Sequence, residues 1–142
     1  MGQAADVVHR KISAFNAQDA KQIMALVSPD VEWVVPGGLL QGPDQVVGFF
    51  SVLWEAFPDI ELTLTCESVS GSTVLTHGRA QGSHGGTFHT PVGDIPPTGK
   101  HVDLPYAEYY DVEDGVIVSA RLLFDRLDLL EQLGAAPAPA HA

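Results

Sequence analysis

The chain reads as an α+β domain in which a curved antiparallel sheet wraps around N-terminal helices. Three observations predict this. Apolar residues recur at helical spacing through the first third of the chain, alternate with polar ones in long runs between Ile60 and Phe124, and return to helical spacing over 126–134. With 142 residues, 45% hydrophobic and 18% charged, the chain has the length and composition of one globular domain. We expect a single domain over 1–134 and a flexible tail over 135–142.

The elements follow in order. Val8, Ile12 and Phe15 stand at i, i+4 and i+7 and predict a helix over 6–17, broken by Asn16-Ala17-Gln18-Asp19. Asp19 is placed to cap a second short helix, with Gln22 completing a capping box, Ile23, Leu26 and Val27 as its buried stripe, and Ser28-Pro29-Asp30 as its end. Val31, Trp33 and Val35 form a short strand closed by Pro36-Gly37-Gly38. Gly42-Pro43-Asp44 starts a helix, because proline fits the first turn; Val46, Phe50, Leu53 and Phe57 form its stripe, and Pro58 stops it. Ile60, Leu62, Leu64 and Cys66 alternate with Glu61, Thr63, Thr65 and Glu67, the pattern of a half-buried antiparallel strand. Ser70-Gly71-Ser72 turns into a strand over 73–83. A Gly- and Pro-rich loop (85–99) leads to strands over 101–112 and 115–124, and a helix over 126–134 ends at Gly134. A sheet curled around helices leaves a cone-shaped cavity, the default place for a ligand.

Charge and composition exclude several roles. Seven basic against 18 acidic residues give a formal net charge of −11, which repels phosphate backbones and anionic lipid, so no nucleic-acid or membrane partner is expected. Cys66 is alone, so there is no internal disulfide. The N-terminus lacks a signal-peptide pattern and no stretch has the length of a membrane span; a soluble, cytoplasmic protein is the expectation. His77, His84, His89 and His101 lack ligand-like spacing and there is no H-E-x-x-H or cysteine cluster, so neither a metal nor another cofactor is expected.

Several short motifs stand in order along residues 5–134. They are Asn16-Ala17-Gln18-Asp19, Gly42-Pro43, Ala56-Phe57-Pro58-Asp59, Gly82-Ser83-His84, Pro96-Pro97-Thr98-Gly99-Lys100, Asp114-Gly115-Val116-Ile117, and Asp125 followed by Gln132-Leu133-Gly134. In this order and spacing the chain resembles the SnoaL-like polyketide cyclases of the NTF2-like superfamily, whose fold is a cone-shaped barrel. The resemblance implies a cofactor-independent enzyme of antibiotic biosynthesis that closes a ring in a polyketide-derived intermediate by aldol-type proton transfer, and a homodimer formed through the open sheet face. The superfold also hosts isomerases, dehydratases, epoxide hydrolases and non-catalytic binders.

Asp125 is the first candidate site residue, an acid that follows the apolar run Leu122–Phe124 at the end of a strand. The resemblance implies a general acid/base at this position, and desolvation in an apolar cavity would raise such a carboxylate's pKa toward that of a carbon acid. The alternative is an N-cap for the helix over 126–134. His84 could hydrogen-bond a substrate carbonyl or share a proton with Asp125, or could simply satisfy a loop carbonyl. Arg121 stands where the family usually carries tryptophan. In a regular strand it shares a face with Leu123 and Asp125, so an inward Asp125 would bring an inward guanidinium. That pair would suit an epoxide hydrolase, isomerase or dehydratase of the same fold; a non-catalytic binding or dimerisation module is the third reading. Tyr106 and Glu108 share one strand face and are candidate substrate contacts if that face is inward. Pro105 implies an edge or bulge that leaves the parity open, and an exposed strand glutamate is the expectation for Glu108. Trp33, Phe50, Trp54 and Phe88 are candidate lining for a flat substrate, although aromatic stripes at helical spacing more often build a core.

Overall fold

The computed structural model describes residues 3–135; all but the first residue of the expected tail over 135–142 lies outside them. Helix α1 (Gln3–Asn16) and the short α2 (Ala20–Ala25) lead into β1 (Val27–Val35) and β2 (Gly38–Gln41). Helix α3 (Pro43–Ala56) precedes the long strands β3 (Glu61–Ser70) and β4 (Thr73–Ser83). A small hairpin, β5 (Phe88–Thr90) and β6 (Gly93–Ile95), separates these from β7 (His101–Glu113), β8 (Val116–Phe124) and α4 (Arg126–Gln132). Six strands form one sheet in the order β2-β1-β8-β7-β4-β3. All neighbours run antiparallel except β1 and β8, which are parallel, so the sheet is mixed.

The helices lie on the concave side of this sheet, and their apolar stripes make the core. Val8, Ile12 and Phe15 of α1, and Val46, Phe50 and Trp54 of α3, are buried together with Trp33, Tyr110 and Ile117 of the sheet. Phe15, Trp33, Phe50 and Trp54 pack edge-on or tilted with ring centroids 5.2–6.2 Å apart, the arrangement that aromatic quadrupoles favour. Among the described residues no helix is long and apolar enough to cross a membrane.

Two departures from the sequence expectations, and the parity of β7, each have a physical reason. Ser28-Pro29-Asp30 lies within β1 rather than ending a helix. The pairing with β8 skips from Val27 to Glu32, so the proline falls in an irregular stretch that needs no ladder hydrogen bond. Residues 88–95, expected as loop, form a hairpin closed at Gly93, whose φ of +129° suits glycine. Pro105 does not bulge the strand, but it does lie at a local sheet edge, as expected. The β8 pairing stops at Tyr106↔Phe124, so Pro105 has only β4 beside it, and burial alternates without a break through residues 101–110. This regular parity decides which way Tyr106 and Glu108 face.

Candidate active site

A cavity of about 70 Å³ runs along the concave face of β7 from Val102 to Glu108, between the sheet and helices α1, α3 and α4. Phe15, Phe50, Phe57, Leu104, Leu122 and Phe124 give it apolar walls. At one end stand three polar side chains, Lys11, Tyr106 and Glu108. Beyond them the Trp33–Tyr110 core closes the cone.

Glu108 faces inward and is 2% exposed, which corrects the expectation of a surface glutamate. Its neighbours on that face of β7 are Tyr106 and Tyr110. Lys11 Nζ donates to its Oε1 at 2.8 Å, Tyr110 donates to the same oxygen, and Trp33 Nε1 donates to Oε2 at 2.9 Å. Each carboxylate oxygen has two lone pairs, so Oε2 keeps one free acceptor site. Lys11, itself 1% exposed, also donates to the Tyr110 hydroxyl at 3.1 Å and lies 5.2–5.8 Å from the rings of Phe15, Trp33, Phe50 and Tyr110. The charged pair is thus matched by hydrogen bonds and cation–π contacts, as burial requires.

Tyr106 differs from its neighbours. Its hydroxyl is buried and has no hydrogen-bond partner among the described residues. Burial, reinforced by the nearby Glu108 charge, holds the phenol well above its ordinary pKa, so it remains a proton donor. The ring lies against Gly78 of β4, its register partner, where an added Cβ would come within 3.1 Å of the phenol and 2.4 Å of the Thr63 carbonyl. Gly78 therefore leaves the space in which Tyr106 lies flat on the sheet.

The remaining sequence candidates are placed differently. Asp125 does not face the cavity: it is exposed and caps α4, its Oδ1 accepting from Leu127 N at 2.9 Å and Asp128 N at 3.1 Å. Arg121 shares its face as expected, but that face is the convex outer one, where Arg121 is exposed opposite Tyr109. The reason is parity: Ala120 and Leu122 point inward, so 121, 123 and 125 must point out. Asp125 is therefore solvated and outside the apolar cavity. His84 is fully buried, yet it stands behind Phe57, ring centroids 5.4 Å apart, rather than in the cavity wall. Its Nδ1 accepts from Thr98 N at 3.2 Å, which assigns the proton of the neutral ring to Nε2. Burial lowers its pKa; the Gly86 backbone partly offsets this, although Nε2 makes no hydrogen bond of ordinary geometry.

Of the aromatic candidates, Phe50 lines the cavity and Trp33 braces Glu108 from behind. Trp54 is core, its Nε1 donating to the Phe15 carbonyl at 3.1 Å, and Phe88 packs edge-on against Phe57 with ring centroids 5.9 Å apart. Lys11 was not singled out from sequence, although Val8, Lys11 and Phe15 share one helix stripe. No group of three or more His, Cys, Asp or Glu side chains among the described residues is arranged to hold a metal ion.

A cone of curved sheet over helices, enclosing an apolar cavity with Lys11, Tyr106 and Glu108 among its lining residues, is the NTF2-like fold. The SnoaL-like polyketide cyclase profile matches residues 5–133, and the chain belongs to that family. A proposed SnoaL-like polyketide cyclase from Jannaschia sp. CCS1 is similar over 95% of this chain and 94% of its own, with 26% identity and a TM-score of 0.84. IdmH, a proposed polyketide cyclase from Streptomyces antibioticus, is similar over 93% of this chain and 99% of its own, with 25% identity and a TM-score of 0.79. AclR, a proposed hydroxylase from Streptomyces galilaeus, shares the fold at 23% identity, with a TM-score of 0.83 over 99% of this chain and 87% of its own. No curated protein sequence matches the chain. Family membership supports a cyclase- or isomerase-type role, an enzyme of the polyketide-cyclase kind.

Proposed function

We propose that the chain closes a ring in a polyketide-derived β-dicarbonyl compound by acid/base catalysis without a cofactor, and that the reacting groups are Tyr106 and Glu108. The observation that carries this is the unpaired, buried Tyr106 hydroxyl beside the Lys11–Glu108 pair in an otherwise apolar cavity. A buried hydroxyl without a partner is unfavourable by itself, and a substrate carbonyl would satisfy it. Glu108 takes the proton from the carbon between two carbonyls through the free site on Oε2. Tyr106 hydrogen-bonds the enolate oxygen, the enolate carbon attacks a second carbonyl of the same chain, and Glu108 returns its proton to the new alkoxide. A carboxylate is a modest base beside a carbon acid, so this chemistry fits C–H bonds flanked by two carbonyls and not those of simple ketones.

Ligand pockets usually measure roughly 300–1,000 Å³, so a substrate of several rings would have to part the walls of a cavity of about 70 Å³. Their side chains are single rings and short aliphatic groups, which move without breaking hydrogen bonds. The experiment is ring closure of a linear poly-β-carbonyl thioester followed by liquid chromatography and mass spectrometry. Glu108→Gln should abolish catalysed closure and Tyr106→Phe should slow it on the order of a hundredfold; wild-type rates in both variants would sink the assignment.

The same proposal includes service in the cytoplasm on an antibiotic-pathway intermediate and a homodimer formed through the convex sheet face. Leu75, Tyr109 and Leu123 are 37–50% exposed on that face, an apolar surface a second copy would cover. The hydrolase or isomerase reading that relied on Asp125 with Arg121 gains no support from two exposed side chains outside the cavity.

A further inference from the structure

We propose that Lys11 is a nucleophile as well as a counter-ion, and that its amine condenses with ketones entering the cavity to form a protonated imine. This rests on the reading that carbonyl compounds occupy the cavity, and it does not require Glu108 to act as the base described above. Lys11 is built for such a step in three respects. Its Nζ is held at one place by Glu108 Oε1 at 2.8 Å, the Tyr110 hydroxyl at 3.1 Å and four aromatic rings, whereas Lys21 and Lys100 are exposed. Its proton acceptor is already in contact: transfer from Nζ to Oε1 turns two buried charges into a neutral pair, which an apolar site tolerates better than water does. Lys11 is 1% exposed and faces an apolar cavity wall, a setting that holds water poorly, and water is what imine formation releases.

The step balances within these groups. The free amine attacks the carbonyl carbon, a C–N bond forms as the C=O π bond breaks, and the oxygen takes a proton from the attacking nitrogen to give a neutral carbinolamine. Glu108, now a carboxylic acid, returns its proton to that hydroxyl, water leaves, and the C=N bond forms. Overall, the ammonium and one ketone give a protonated imine and one water, and Glu108 ends as the carboxylate it was. The positive charge stays where the ammonium carried it, so Glu108 and the four rings keep their partner. The Tyr106 hydroxyl, otherwise unpaired, supplies the donor that polarises the incoming carbonyl.

The full chain is incubated with cyclohexanone and cyanoborohydride, and separately with benzoylacetone, which traps an amine as a conjugated enaminone with its own near-ultraviolet band. Peptide mapping should find one adduct on Lys11, formed on the order of tenfold or more ahead of Lys21 and Lys100. Adducts confined to Lys21 and Lys100, or none, would overturn the proposal on the wild-type chain alone. Lys11→Met should lose the band, and the Lys11→Met/Glu108→Gln pair, which leaves no buried unpaired charge, repeats the test if the single variant unfolds. Exchange of the benzoylacetone central C–H into deuterated water is read on the same samples. Exchange without an adduct retires the imine and leaves the Glu108 reading standing; an adduct without exchange does the reverse.

Discussion

A single hydroxyl, that of Tyr106, separates this cavity from an ordinary core. The polar atoms of Lys11, Tyr110 and Glu108 are paired, and Tyr106 alone is left to be satisfied from the cavity. Removing one member of the pair should be expensive: Lys11→Met leaves Glu108 buried and uncompensated, and thermal or urea unfolding should show a loss of about 3–5 kcal/mol. Asp125 should behave in the opposite way. As the α4 cap its replacement by alanine should lower stability by about 1 kcal/mol and leave turnover unchanged. At this scale the sequence was only partly legible. Asp125 was visible as an acid following an apolar run at a strand end, but cap and catalyst look alike in a string of letters. Lys11 sat on the helix stripe with Val8 and Phe15, and a lysine there could have been read as buried only if its partner, 97 residues away, had been known.

At the scale of elements, the periodic segments declared themselves where their burial is one-sided: the α3 stripe and the β3 alternation as far as Leu64 need no tertiary knowledge. Cys66, expected on the buried face, is exposed because the register shifts after Leu64. What failed was local punctuation overridden by context, as at Pro29 within β1; Pro105 did mark a local edge of β7, and only the parity around it was left open. The glycines show the reverse dependence. Gly86 stands where a Cβ would lie 2.0 Å from the Glu55 carbonyl oxygen, so the chain can turn over the end of α3 only without a side chain. Gly78→Ala should cost about 1–3 kcal/mol by pushing β3 and Tyr106 aside, and should lower turnover beyond what stability explains. The β5–β6 hairpin is tied to α3 by His89, which bridges Asp94 at 3.0 Å and Glu55 at 2.9 Å. Hydrogen bonds, first to Asp94 and then to Glu55, raise its pKa from the ordinary 6.5. The tie is therefore complete below 6.5 and is lost as pH rises through the raised value. An NMR titration of His89 should show that raised midpoint in the wild type and a lower one in Glu55→Gln.

For the whole molecule, the cone explains why fold was readable where the site was not. Helices, then long strands, then a closing helix admit few arrangements, but which strand face becomes concave decides every functional assignment at once. Parity sent Arg121, Leu123 and Asp125 outward and Tyr106 and Glu108 inward. On the outer face, Leu123→Glu should shift sedimentation from dimer to monomer if that face pairs copies of the chain. The central claim, that proton transfer belongs to the cavity end and not to the α4 cap, is tested most directly by the catalysed rate of benzoylacetone C–H exchange above the buffer rate. Wild type and Asp125→Asn should exchange alike, with Tyr106→Phe slower and Glu108→Gln at the buffer rate. Exchange lost in Asp125→Asn and kept in Glu108→Gln would contradict the account.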